Sequence, residues 1–196
     1  MLIDLHCHTR PLSSCSALEP DELIRLARER GLDGVCLTEH DRAWGAAELA
    51  ELRARSEIAV FAAVELTTDM GHVLAFGLDP SSYSPIAARV FAAAEASGGL
   101  LFLAHPARDG LLRVSHETVE YFASVEAVNG SDSKLQNIAT TGLAKGFRLP
   151  GIGGSDAHSA VEVARAATRF EVTVGTDAEL LAALRTGHYQ AVSLGL

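Results

Sequence analysis

Six of the eight histidines sit where short apolar runs stop: His6 and His8 in DLHCHT, His40 in LTEHD, His72 in MGHVLAFG, His105 in LAHPAR and His158 in GSDAH. This placement constrains the fold. Titratable rings at the ends of buried segments need a shared polar pocket, because burying each one separately without a partner is costly. The apolar runs read as strands over Leu2–His6, Gly34–Thr38, Ile58–Leu66, His72–Gly77, Leu100–Ala104, Val125–Asn129, Gly151–Gly153 and Phe170–Val174. Helical patterns lie between them, over Asp21–Arg30, Ala43–Ala54, Pro85–Ala96, Glu117–Phe122, Asp132–Ala144 and Asp177–Arg185. The Asp132–Ala144 pattern is the cleanest, with Leu135, Ile138, Ala139, Gly142 and Leu143 at helical spacing. Thr176 and Glu179 form a capping box before the last helix. The alternation predicts an α/β fold of about seven βα units with mostly parallel strands. A closed barrel and an open doubly wound sheet both fit. Both collect ligands at the C-terminal ends of their strands.

A chain of 196 residues is expected to form one domain, residues 1–196, with a substantial core. No apolar run reaches the roughly 18 residues of a membrane span, and the N-terminal MLIDLHCHT has no signal-peptide pattern. Three cysteines do not make a disulfide framework, so a cytoplasmic location is expected. A formal charge of −9 gives no general attraction for nucleic acid, and no basic or aromatic stripe is present to hold an extended strand. Two or three divalent ions would add about four to six positive charges at one place, so an acidic chain of this kind still accommodates an anion pocket.

The residue types at the strand ends suit metal ligation. Residues i and i+2 of a strand share a face, so His6 and His8 can chelate one ion while Cys7 faces away. Asp156 and His158 repeat the spacing, and Gly153 and Gly154 before them leave room for close backbone approach. Glu65 interrupts the apolar run AAVEL, where an acid needs a partner or a metal. A single buried histidine is ordinarily a hydrogen-bonded core residue; the series carries the reading. His116 and His188 fit no motif and read as surface residues. Cys7 and Cys36 read as small core residues and Trp44 as packing. Glu126 and Asn129 lie near a strand end, in a supporting or a purely structural role.

The ordered motifs DLHCHT, GLDGVCLTEHD, AAVELT, GHVLAFG, AHPAR, VEAVNG and GIGGSDAH resemble the PHP (polymerase and histidinol phosphatase) superfamily over most of the chain. The resemblance implies a distorted seven-stranded TIM-like barrel and hydrolysis of phosphate esters by a hydroxide bridging two ions. It implies two to three divalent metals, Zn, Mn or Fe. His6, His8, Glu65 and Asp156 correspond to the ligands of one metal. His72 and His105 correspond to those of a second, with Glu65 shared. His40 and His158 correspond to those of a third. The family places a further histidine or aspartate just after the HxH pair, where this chain reads RPLSSCS; Cys15 is the possible substitute ligand. Glu39 stands where the family usually has aspartate. Arg108, after AHP, corresponds to a phosphate-gripping arginine, and Arg10 and Arg42 are further possible phosphate contacts. Asp156, His158 and Arg108 are the expected catalytic residues, with His158 or a metal-bound water protonating the leaving group.

The expected substrate is a small phosphate mono- or diester. Three alternatives differ in class: a catalytically weak or inactive PHP metal-binding module, a nuclease acting on short oligonucleotides, and hydrolysis of a non-phosphate bond at a binuclear centre. The short interval between AHP and GSDAH favours a small open pocket over an oligonucleotide site.

Overall fold

The computed structural model describes residues 1–108 and 114–195. It is a mixed α/β fold with two five-stranded sheets. The first sheet has the order β10 (Tyr189–Ser193), β9 (Ala166–Phe170), β1 (Leu2–Cys7), β2 (Gly34–Leu37), β3 (Ala59–Ala62). The second has the order β4 (Val64–Thr68), β5 (Gly71–Phe76), β6 (Leu100–Leu103), β7 (Ser124–Asn129), β8 (Ile152–Gly154). Parallel ladders join β1 to β2, β2 to β3, β6 to β7 and β7 to β8. The remaining ladders are antiparallel, so the sheet is less uniformly parallel than the alternation predicts.

No continuous ladder closes the two sheets into a barrel among the described residues. Two seams join them instead. At one, the run that reads as a single strand over 58–66 breaks at Ala63, so that β3 belongs to one sheet and β4 to the other. The backbone still bonds across, from Ala63 N–H to the Leu37 carbonyl and from Glu65 N–H to the Glu39 carbonyl, with an isolated bridge between His40 and Glu65. At the other, β8 lies against β1: Asp156 N–H donates to the His6 carbonyl at 2.7 Å, and Cys7 bridges to Ala157.

The inner apolar cluster lies between the sheets and includes Ile3, Leu5, Phe61, Leu74, Phe102 and Ile152. Helix α6 (Asp177–Thr186) adds Leu180 and Leu184 at the end where β5 finishes and β6 begins, opposite His72 and His105. Its capping box is present, with both Thr176 and Glu179 bonds formed. Two outer clusters lie under α1 (Pro20–Glu29) with α2 (Ala46–Arg55), and under α3 (Ala87–Ser97) with α5 (Lys134–Phe147). Each fully buried Leu or Phe is worth about 1.5–3 kcal/mol against exposure. A short helix, α4 (His116–Val119), precedes β7.

Two readings of the sequence are corrected. The strand expected over 170–174 lies earlier, at β9. FEVTV alternates well, but Val172 is 55 % exposed, whereas Ala166, Ala167 and Thr168 are fully buried. Alanine signals a strand weakly, yet here its small side chain is what lets β9 approach β1 and Gly153. Helix α5 docks by a face rotated from the expected stripe: Leu135 is 78 % and Ile138 58 % exposed, while Thr140 and Ala144 are buried and, of the stripe, Leu143 packs against the outer cluster. The helix is held by polar groups. The Asn137 side chain bonds both the N–H and the carbonyl of Asn129, and the Thr141 hydroxyl donates to the Ala127 carbonyl. Such local bonds compete with an apolar stripe and are invisible to periodicity.

The β8–β1 seam depends on absent side chains. A Cβ at Gly154 would lie 2.3 Å from the His6 Cβ and 2.6 Å from the His6 amide nitrogen. We expect Gly154→Ala to destabilise the fold by about 2 kcal/mol or more, as overpacking does. Urea unfolding that leaves the midpoint unchanged would contradict the close packing of this seam.

Candidate metal centre

The register of β1 shifts between Asp4 and Cys7. Ile3 and Leu5 join the inner cluster, but Cys7 joins the outer one beneath α1 and its thiol donates to the Cys36 carbonyl. Past the shift, His6 and His8 both face the pocket, as their i, i+2 spacing requires. Their Nε2 atoms are 3.0 Å apart. The Asp156 Oδ1 lies 3.5 Å from His6 Nε2 and 3.3 Å from His8 Nε2.

Glu65, on β4 at the other seam, is 1 % exposed and touches five imidazoles. Its two oxygens divide them. Oε1 lies 2.8 Å from His72 Nδ1 and 3.0 Å from His105 Nε2. Oε2 lies 3.3, 3.2 and 3.1 Å from His6, His8 and His40. Despite these contacts, among the described residues Oε2 has no aligned hydrogen-bond donor and His105 Nδ1 has no partner. Ring nitrogens packed against one another and against an orphaned carboxylate oxygen suit a cation, which accepts lone pairs from all of them together; a proton serves one pair at a time. Four groups have ligand atoms within 4.8 Å of one another: His6–His8–Asp156, His6–Glu65–His105, His40–Glu65–His72 and His8–His40–His158. Residues that could hold metals are therefore present in overlapping sets.

The electrostatics follow from this crowding. Burial raises the Glu65 carboxyl, but His6 and His105 outweigh it and hold the group well below the usual carboxylate range. Asp156 is likewise raised by burial and lowered, on balance, by His6 and His8. Burial disfavours the charged form of His6; Glu126, Asp156 and Glu65 reverse this and raise it. His40 moves the other way, pushed down to about 4 by burial and by its neighbour His8. The site thus sets acids held low against rings shifted in opposite directions, His6 up and His40 down.

Further side chains fix these groups in place. Glu126 is 1 % exposed. It accepts from His6 Nδ1 at 2.9 Å, from the His105 amide at 2.9 Å and from the Asn129 amide group at 3.0 Å. A proton on His6 Nδ1 leaves Nε2 as a lone pair aimed at the pocket, the arrangement a metal-ligating histidine needs. Asp4, also fully buried, accepts from the backbone N–H groups of His6 and Ser155 and so pins β1 to β8; burial raises its carboxyl to about 6. His105 (φ 26°) and Asp156 (φ 53°) both sit in the left-handed region, a strain of about 1–3 kcal/mol each that surrounding contacts must hold.

The loop after the HxH pair is organised by Glu39. Its carboxylate accepts from the Thr9 amide and hydroxyl, the Ser13 hydroxyl and the Trp44 indole. Ser13 is buried, with its Oγ 3.4 Å from His8 Nδ1, while Cys15 is exposed and belongs to none of the four groups. Arg108 is half-buried and heavily engaged. It donates to Asp156 Oδ2 at 2.8 Å, to Asp132 Oδ1 at 2.9 Å and to Asn129 Oδ1 at 3.1 Å. Arg10 and Arg42 are exposed, as are His116 and His188.

Asp4 and Asp132 were not singled out from the sequence. The signal for Asp4 was available: an acid inside an apolar strand, as for Glu65. Asp132 carries no comparable mark.

Comparison with known proteins follows the same lines. The PHP domain model matches residues 4–131 and the PHP-associated model residues 137–189. A 3',5'-nucleoside bisphosphate phosphatase of Chromobacterium violaceum is 39 % identical over 83 residues, covering 40 % of this chain and 28 % of that protein. This chain therefore spans under a third of that relative. A two-domain protein of Bacteroides vulgatus containing a predicted PHP-like metal-dependent phosphoesterase superposes with a TM-score of 0.76 at 20 % identity, over 98 % of this chain and 64 % of that one. An amidohydrolase of Chromobacterium violaceum, solved with bound sulfate and no metal, superposes with a TM-score of 0.65 at 19 % identity over 98 % of both chains.

We expect Glu126→Ala to weaken zinc or manganese binding by about 10- to 100-fold while the protein stays folded, the usual cost of losing a partner that orients a ligand histidine. Metal titration checks this, and undiminished affinity would remove Glu126 from the site. Since the PHP domain model spans well over half of the chain and takes in five of the six clustered histidines, this protein belongs to the PHP domain family.

Proposed function

We infer that residues 1–196 act as one metal-dependent phosphoesterase on a small, soluble phosphate ester, with the two sheets serving as halves of a distorted barrel whose strand ends converge on the metals. The observation that carries this reading is Glu65, a buried carboxylate whose two oxygens face different sets of imidazoles. A carboxylate so placed is built to bridge cations. His6, His8 and Asp156 would hold one ion with Glu65, and His72 and His105 a second across its other oxygen. His40, His158 and His8 offer a third position. Family membership and the bisphosphate phosphatase similarity support the reaction class.

Divalent ions bound there, zinc, manganese or iron, would ionise an attacking water and neutralise charge on the phosphoryl oxygens. The chain's own groups do the positioning. Glu126 keeps the His6 lone pair on the pocket. Arg108 holds one oxygen of Asp156, leaving the other for ligation, and its guanidinium stays at the pocket rim where a phosphate can share it. His158 Nδ1 faces the Asp156 carbonyl at 3.0 Å, which leaves Nε2 to serve the pocket as ligand or as proton donor to the leaving group. Arg10 and Arg42 are exposed side chains of the neighbouring loops and suit a second anionic group of the substrate. In the loop after the HxH pair, buried Ser13 lies beside His8 and is nearer the metals than Cys15, the possible extra ligand, which is exposed.

The test is turnover of an aryl phosphate monoester and the matching diester by protein loaded with manganese, zinc or iron. We expect chelation to abolish the activity, metal to restore it, and Glu65→Gln to lower kcat/KM by about 10³-fold or more, about 4 kcal/mol. A fully metal-loaded protein inert on both esters would favour the binding-module alternative.

A further inference from the structure

The chain has two lysines, Lys134 and Lys145, and both line one groove. The groove has a volume of about 740 Å³ and runs between the outer face of α5 and the segment where β10 ends beside the start of β9. Arg165 stands on the wall opposite the helix. Lys134, Ile138, Thr141 and Lys145 fall on one side of α5, so the two ammonium-bearing residues are about 16 Å apart along the helix axis. Neither lysine nor Arg165 has an ion-pair partner among the described residues. In a chain of formal charge −9, three cations lining one concavity give it a local positive charge.

Lys134 is also misplaced for a helix. It is the first residue of α5, whose first turn has no acidic residue. A cation there opposes the helix dipole, at a cost of about 0.3–1 kcal/mol, where an anion would be favoured. Asp132 also lines the groove, and one of its carboxylate oxygens accepts from Arg108. The groove is not simply charged. Ile138, 58 % exposed, and Val128 give it an apolar wall, while Asn137 and Thr141, whose side chains bond the β7 backbone, lie along it. This mix of a few placed polar groups on an apolar lining, at a volume between about 300 and 1,000 Å³, is that of a small-molecule site. The rotation of α5 away from its expected stripe is what leaves Ile138 there.

We propose that this groove is a second binding site, separate from the metal centre, for an organic phosphate of nucleotide size. Its phosphate is held between Lys134 and Arg165, its uncharged body lies along Ile138 and Val128, and Lys145 meets a further anionic or polar group at the far end.

The probe is AMP, titrated into isotopically labelled protein and followed by amide shifts, with adenosine and inorganic phosphate as separate arms. AMP is expected to shift Gly130, Gly142 and Lys145 in a saturable way. Adenosine, which lacks the charge, and inorganic phosphate, which lacks the body, are each expected to bind at least tenfold more weakly. Lys134→Ala with Arg165→Ala is expected to weaken AMP at these positions at least tenfold, with folding and aryl phosphate hydrolysis unchanged. Glu65→Gln is expected to leave the groove affinity as it is, which separates this site from the metal centre. AMP shifts confined to the surroundings of His6 and Glu65, or groove affinity indifferent to the double substitution, would overturn the proposal.

Discussion

The structure turns on burying two carboxylates among six imidazoles. Glu65 lies on β4 and Asp156 just past β8, the two edge strands of the second sheet, and each is nearly inaccessible to water. An acid in that position is tolerable only when opposite charge is close. The neighbouring rings hold both carboxyls low, and the acids in turn push His6 upward. Such a cluster is poorly satisfied. His6 and His8 face each other nitrogen to nitrogen, and one oxygen of Glu65 has three rings around it and no aligned donor among the described residues. The sheets, the seams and the strained backbone at His105 and Asp156 serve to hold this unfavourable arrangement together.

Much of the site was legible because its chemistry is written in residue types that are rare inside strands. A histidine at the end of an apolar run, or a glutamate within one, stands out without any structural knowledge, and the structure brings all six histidines, Glu65 and Asp156 into one pocket. The capping box at Thr176 was equally legible, since it depends on two residues at a fixed local spacing. The supporting groups were harder to read. Glu126 and Asn129 could be placed near a strand end but not given partners, because their bonds reach His6 and Asp156, far away in sequence. Asp132 acts through Arg108 and looks like any loop acid.

The fold was legible at the level of alternation and less so in its pairing. The run Ile58–Leu66 reads as one strand because the backbone does continue; what changes at Ala63 is the neighbour, and neighbours are not encoded locally. β9 and β10 escaped for a related reason. Alanines chosen for close approach carry little strand signal, and the hairpin partner at Tyr189–Ser193 lies beyond the last helix. The face of α5 was misread because its docking is made of Asn137 and Thr141 bonds to strand backbone, which hydrophobic periodicity does not see.

The break at Ala63 bears on how the molecule holds its shape. Glu65 stands two residues past the point where the chain changes sheets, and its ring contacts reach back to β1 and forward to β5 and the end of β6. An ion seated there would act as a rivet through both halves of the protein. Cofactor supply and mechanical integrity are then one variable, since whatever binds only the folded form also raises its stability. Without the ion, the two halves would still be joined by the inner apolar cluster, the Asp4 bonds and the backbone at two seams, but the fold would open more readily.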